Sequence, residues 1–199
     1  GLRCVLVLGI PASAALIVLA EPMIFALYQH GAFTVASVAP TSSSLKAYAL
    51  GLVAFMAIKV LASAYFSRQD TRTPVRIGII SMVVNMVMNL ALIVPLAHVG
   101  LALATSLSAT VNAGLLLQGL RTSKVLVLAP GWGKYMAKLA LATGIMVGVL
   151  ILITPDQQQW MEWDSAARVV FLLLICSAGG ITYVLTLLAC GLRIANFRS

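Results

Sequence analysis

Residues 47–66, AYALGLVAFMAIKVLASAYF, hold one charge in twenty positions, Lys59, and lead into SRQDTRTPVR (67–76) and a further apolar run, 75–96. Twenty residues at about 1.5 Å each span the roughly 30 Å hydrocarbon core of a bilayer. Two such runs joined by a short basic turn are a membrane hairpin. Outward from it, charge-poor windows recur at 4–20, 100–120, 139–153 and 169–191, which gives six predicted spans in all. The strict polar and apolar alternation of a spanning β-barrel is missing, so the fold class is all-α, a polytopic helical membrane protein.

Composition agrees. Of 199 residues, 61% are hydrophobic and 9% charged, against about a quarter charged in soluble domains. The net charge of +8 would suggest nucleic acid in another setting, but the cations sit in the gaps between apolar runs, where they read as topology signals. If the spans alternate in direction, ten of the 13 Lys and Arg residues collect on one side: Arg3, Arg68, Arg72, Arg76, Arg121, Lys124, Lys134, Lys138, Arg193 and Arg198. Lys46 and Arg168 fall on the other. The positive-inside rule then places both ends of the segment in the cytoplasm. Cys4, Cys176 and Cys190 lie in or beside apolar runs without metal-ligand spacing, which argues against a disulfide framework or zinc site. The opening Gly1-Leu2-Arg3 has neither Met nor a cleavable signal, and reads as a piece of a longer protein.

The gaps carry further expectations. After the first span, EPMIFALYQHGAF (21–33) and the small residues 41–44 look like a short interfacial helix and a turn. Residues 97–100 are a tight turn, and Trp160 and Trp163 fit an aromatic belt at headgroup level. Small residues along 102–113 and the pair Gly144 and Gly148 predict close helix approach.

Three sets of side chains point to chemistry. Lys59 is the one charge deep inside a span. It either snorkels to the headgroups or faces a cavity, and with no intramembrane carboxylate its natural partner is an anion. Arg68, Arg72 and Arg76 follow at four-residue spacing. They are positive-inside anchors or phosphate ligands, since a guanidinium fork binds phosphate bidentately. Asp70 among them reads as a structural partner rather than a base. Ser81, Asn85 and Asn89 on one helix, with Thr105, Ser108 and Asn112 on the next, share single faces. They make interhelical hydrogen bonds or line a hydrated path. HExxH, GxSxG, a P-loop and an intramembrane carboxylate pair are all missing, so no catalytic residue, metal or cofactor is expected, and no enzymatic activity.

Read together, EPMIFALYQHGAF, YALGLVAFMAIKVLASAYFSRQDTRTPVRI and MNLALIVPLAHVGLALATSLSATVNAGLLL resemble the C-terminal part of the MurJ (MviN) family of lipid II flippases, within the multidrug/oligosaccharidyl-lipid/polysaccharide exporter superfamily. The likeness covers nearly the whole chain and is most specific over 21–117. It implies a fourteen-helix, two-lobe transporter of the bacterial inner membrane, active in peptidoglycan synthesis. Residues 1–120 would be the last four helices of the second lobe, 121–138 a basic cytoplasmic connection, and 139–199 a helix pair bordering a lipid groove. The implied partners are lipid II (an undecaprenyl-pyrophosphate-linked disaccharide-pentapeptide), membrane lipids and the N-terminal lobe of the same protein. The implied substrate-binding residues are Lys59, Arg68, Arg72, Arg76, Asn85, Asn89 and Asn112. A polysaccharide-repeat flippase and a multidrug cation antiporter of the same superfamily are the alternatives, together with a scaffold for wall-synthesis enzymes. The antiporter would place a carboxylate in its cavity, whereas Glu21, at the outer edge of a span, is the one acid near any of them.

Overall fold

A computed structural model describes residues 1–28, 35–124 and 132–191. They form α1 (Leu2–Tyr28), α2 (Val35–Phe66), α3 (Arg72–Thr122), α4 (Trp132–Ile153), the short α5 (Gln157–Glu162) and α6 (Ser165–Ala189). Five of these helices are long and apolar enough to cross a membrane. The count differs from six because 75–96 and 100–120 belong to one 51-residue element. Its helical path is broken once, at Ala97, where φ is 45° and ψ is −127°. That break is the expected turn. Gly100 follows so close to the Leu92 carbonyl that a Cβ would not fit, and Asn85 reaches Ser108 at 3.0 Å, so limbs 72–96 and 98–122 run antiparallel.

The chain divides into two compact units, one of residues 1–13 and 47–132, the other of 14–46 and 133–199. In the first, α1 and α2 run antiparallel. Gly9 packs on Val53 and Met56, and the Ser13 hydroxyl donates to the Ala49 carbonyl. The second limb of α3 lies alongside α2 in the same direction, since Ser106 donates to the Ala47 carbonyl at 2.7 Å and Tyr65 to the Leu116 carbonyl at 3.0 Å. The crossing is tight at Gly51, where a Cβ would stand 2.8 Å from the Ser106 Cα. Beneath one end, Val5, Ala57, Leu61, Tyr65, Ile77, Leu116 and Leu120 form the core.

In the second unit, Leu139, Ala142, Met146 and Leu150 of α4 and Leu172, Ile175, Gly179 and Leu187 of α6 are buried at helical spacing. A Cβ at Gly179 would meet the tip of Leu150 at 2.8 Å. Lys138 donates to the Cys190 carbonyl at 2.6 Å, which satisfies an open group at the C-terminal end of α6. The pair is therefore antiparallel.

Four expectations need correction. Residues 41–44 are not a turn but part of α2, which continues through Pro40. The hydroxyls of Ser42 and Ser43 bond back to the Ala39 carbonyl and that of Ser44 to the Pro40 carbonyl, so these small polar side chains are satisfied within the helix's own turns. Gly144 and Gly148 are exposed, with nothing within 4 Å of a Cβ at either, so Gly179 is the glycine of the α4–α6 contact. Trp160 is 1% exposed and sits 5.4 Å from Trp163, which lies 4.3 Å from Phe171. Burial removes Trp160 from any lipid-facing belt. Residues 21–28, expected to open a separate short helix, continue α1 instead; the rest of that stretch, 29–33, and the cations Arg193 and Arg198 lie outside the described residues.

Candidate functional site

The hairpin of α3 sets its polar residues against each other beside α2. Facing one open cavity of about 340 Å³ are Ser81 and Asn85 from one limb and Thr105, Ser108 and Asn112 from the other. Phe55 and Ile58 of α2, with Met82 and the bare backbone of Gly78, complete the wall. All belong to the first unit. Four-residue spacing along each limb explains the alignment, because residues one turn apart lie on one helix face.

Much of this polar wall is committed internally. Ser81 donates to the Ile77 carbonyl, Thr105 to the Leu101 carbonyl and Ser108 to the Thr105 carbonyl, each at 2.9 Å. Asn85 donates to Ser108, and Asn89 to the Asn85 carbonyl oxygen at 2.6 Å. Asn89 lies behind the lining, with its own Oδ1 buried and without a partner among the described residues. Asn112 makes no hydrogen bond to any described residue.

Lys59 projects from the exposed face of α2, one turn beyond Phe55 and next to Ile58, both of which line the cavity. It has no hydrogen bond or ion pair among the described residues, and it lies outside the cavity lining itself. The arginines are grouped elsewhere. Arg68 sits in the turn after α2, where the N–H groups of Arg68 and Asp70 donate to the Tyr65 carbonyl at 3.0 and 3.1 Å and Gln69 takes a positive φ of 59°. Arg72 and Arg76 follow on the exposed first turns of α3. Because the second limb of α3 runs parallel to α2, Arg121 and Lys124 emerge at the same end of the unit, also exposed.

Asp70 organises this turn. Its carboxylate accepts from the Thr73 N–H at 3.1 Å, capping the start of α3. Hydrogen bonding from Thr73, with a smaller contribution from Arg68, holds its pKa below the ordinary aspartate value. In the second unit, Lys46 pairs with Glu21 at 2.7 Å.

The structure thus brings Asn85 and Asn112 into one cavity, with Lys59 near its rim, and sets Arg68, Arg72 and Arg76 apart from it. Sequence reasoning missed Phe55, Ile58, Gly78 and Met82. The first two were within reach, since they precede Lys59 by four positions and by one on the same helix.

A family model described as Lipid II flippase MurJ matches residues 1–176. The probable lipid II flippase MurJ of Vibrio cholerae is 42% identical over 199 residues, covering 100% of this chain and 38% of that protein. The protein of the same description from Haemophilus influenzae is 41% identical over 193 residues, 97% of this chain and 38% of its own length. A solved structure, the lipid II flippase MurJ in an inward closed conformation, matches with TM-score 0.75 at 26% identity, over 93% of this chain and 36% of that one. The chain therefore spans about 38% of the length of these two relatives.

Proposed function

The chain belongs to the lipid II flippase MurJ family, and from that membership we propose that it supplies the C-terminal part of a transporter carrying lipid II from the cytoplasmic to the periplasmic leaflet of the bacterial inner membrane. Its partner in alternating access is the N-terminal lobe, which these 199 residues do not include. Residues 1–120 belong to the second lobe and 139–199 to a pair along which the polyprenyl tail runs. The basic end bearing Arg68, Arg72, Arg76, Arg121 and Lys124 faces the cytoplasm, as the positive-inside rule requires.

Lys59 carries the reading. An ammonium within a membrane-length helix costs at least about 2.5 kcal/mol unless it meets water or a counter-ion. Lys59 is exposed beside an open polar cavity, and no acid pairs with it among the described residues. A diphosphate crossing the membrane is the anion that makes this placement intelligible, with Arg68, Arg72 and Arg76 as its first contacts at the cytoplasmic surface.

The test is complementation of flippase-depleted cells by the intact protein in the reading frame that carries this chain. Lys59→Ala is expected to insert at normal abundance and fail to support growth. Lys59→Arg keeps the charge and retains part of the activity, because at a point contact charge outweighs shape. Full growth with Lys59→Ala at wild-type abundance would reduce this lysine to a snorkelling anchor.

A further inference from the structure

The cavity between the limbs of α3 is electrically neutral. None of its lining residues carries a charge, and a diphosphate placed in it would find hydroxyls and amides but no cation. Lys59 and the arginines lie outside the lining, so the cavity offers something different.

What it offers can be read from the hydrogen bonds still open. Ser81, Thr105 and Ser108 spend their protons on helix carbonyls, and Asn85 is engaged on both sides by Ser108 and Asn89. Asn112 is uncommitted among the described residues and half-buried in the same wall. An unpaired carboxamide inside a membrane span is costly unless it meets water or a ligand. Its planar edge sets a donor beside an acceptor, and this pair suits a ligand that offers an acceptor beside an amide N–H: the N–H and C=O flanking one residue of an extended peptide, or the acetamido N–H of a sugar beside the neighbouring ring hydroxyl. Phe55 and Met82 give apolar surface for the carbon skeleton, and about 340 Å³ holds a sugar ring or a short peptide segment.

We propose that this cavity binds an uncharged, secondary-amide-bearing part of the transported headgroup through Asn112, leaving the phosphate charge to Lys59 and the arginines. The proposal rests on the flippase reading and divides its site in two. An amide could come from an N-acetylated sugar or from a peptide, and the experiment separates these sources.

Binding to the intact purified protein is measured for a short-chain prenyl diphosphate, for the same diphosphate bearing an N-acetylated hexose, and for that probe in competition with free N-acetylated hexose or with a blocked dipeptide (N-acetylalanine methylamide). Two variants disable the cavity in different ways. Gly78→Leu fills it, and no heavy atom stands within 4 Å of a Cβ there; Asn112→Leu keeps the volume and deletes the amide. The expected result is that one amide source, revealed as tighter binding of the acetylated probe or as displacement by the dipeptide, contributes about tenfold in affinity. Both variants lose that gain, each binding the acetylated probe no more tightly than it binds bare prenyl diphosphate and releasing neither to the dipeptide. Retention of the gain in both variants, or a wild-type protein that distinguishes neither amide source from bare diphosphate, overturns the proposal. The diphosphate reading fails by a separate sign, if prenyl diphosphate binds no better than prenyl alcohol.

Discussion

In the first unit helices cross at small residues and exchange hydrogen bonds with one another's carbonyls, whereas in the second the buried positions of α4 and α6 are mostly large apolar side chains, Leu139, Met146, Leu150, Leu172 and Ile175, with Leu150 set against Gly179. The difference follows from what each contact must do. Where lipid is as apolar as leucine, close backbone approach and polar bonds hold helices together, and the same closeness lets serines and asparagines gather on one wall. A seam of large side chains leaves no such wall. Outward, both present apolar surface, with Val94 of α3 88% exposed and Leu152 of α4 85% exposed.

The largest effect that separates the two kinds of contact is expected from paired glycine substitutions. Gly51→Leu drives a side chain into the Ser106 backbone, which cannot retreat without moving α3, so a loss of about 1–3 kcal/mol follows. Gly179→Leu meets the far end of Leu150, which can turn aside, and should cost clearly less. Thermal unfolding of the intact protein in detergent compares them. Equal losses would mean that the backbone-to-backbone crossing has no special weight in the first unit.

The helix caps give a smaller contrast, visible in acid. Asp70 caps α3 with a carboxylate, while Lys138 closes α6 through a bond to a carbonyl. Hydrogen bonding lowers the folded pKa of Asp70. Its contribution is therefore complete above the ordinary aspartate pKa and disappears as the pH falls through the lowered native value. Protection of the Thr73 amide, taken relative to its intrinsic exchange rate at each pH, should fall over that window in the wild type and show no such step in Asp70→Asn. A step of the same size in both would assign it to another group.

These contrasts also mark what the sequence made legible. Membrane-length helices, the basic turn at 67–76 and the reversal near Ala97 follow from hydropathy, charge and chain-breaking residues, all local properties. Asn85 and Asn112 could be placed on helix faces by their spacing, but periodicity does not say which neighbour a face meets. The arginines lie at the end of the unit where α2 closes and α3 begins, outside the cavity that holds Asn85 and Asn112. Trp160 departs from its expected place for a related reason: an amphipathic ring near a span end suits the headgroup layer, and only the tertiary packing shows it buried.

The smallest expected effect reverses a sequence rule. Two glycines four residues apart in an apolar helix mark a surface for close helix approach, because the missing side chains let backbones touch. In α4 that surface is turned outward: both Gly144 and Gly148 are exposed, and an added Cβ at either finds open space. The buried stripe runs instead through Leu139, Ala142, Met146 and Leu150. Gly144→Leu and Gly148→Leu should therefore change stability by no more than about 0.5 kcal/mol, the range of substitutions that disturb no packing. Thermal unfolding beside Gly179→Leu supplies the internal control. A loss at position 144 or 148 as large as that at 179 would show that α4 packs through its glycine face in the intact protein, and the seam that distinguishes the second unit from the first would have to be redrawn.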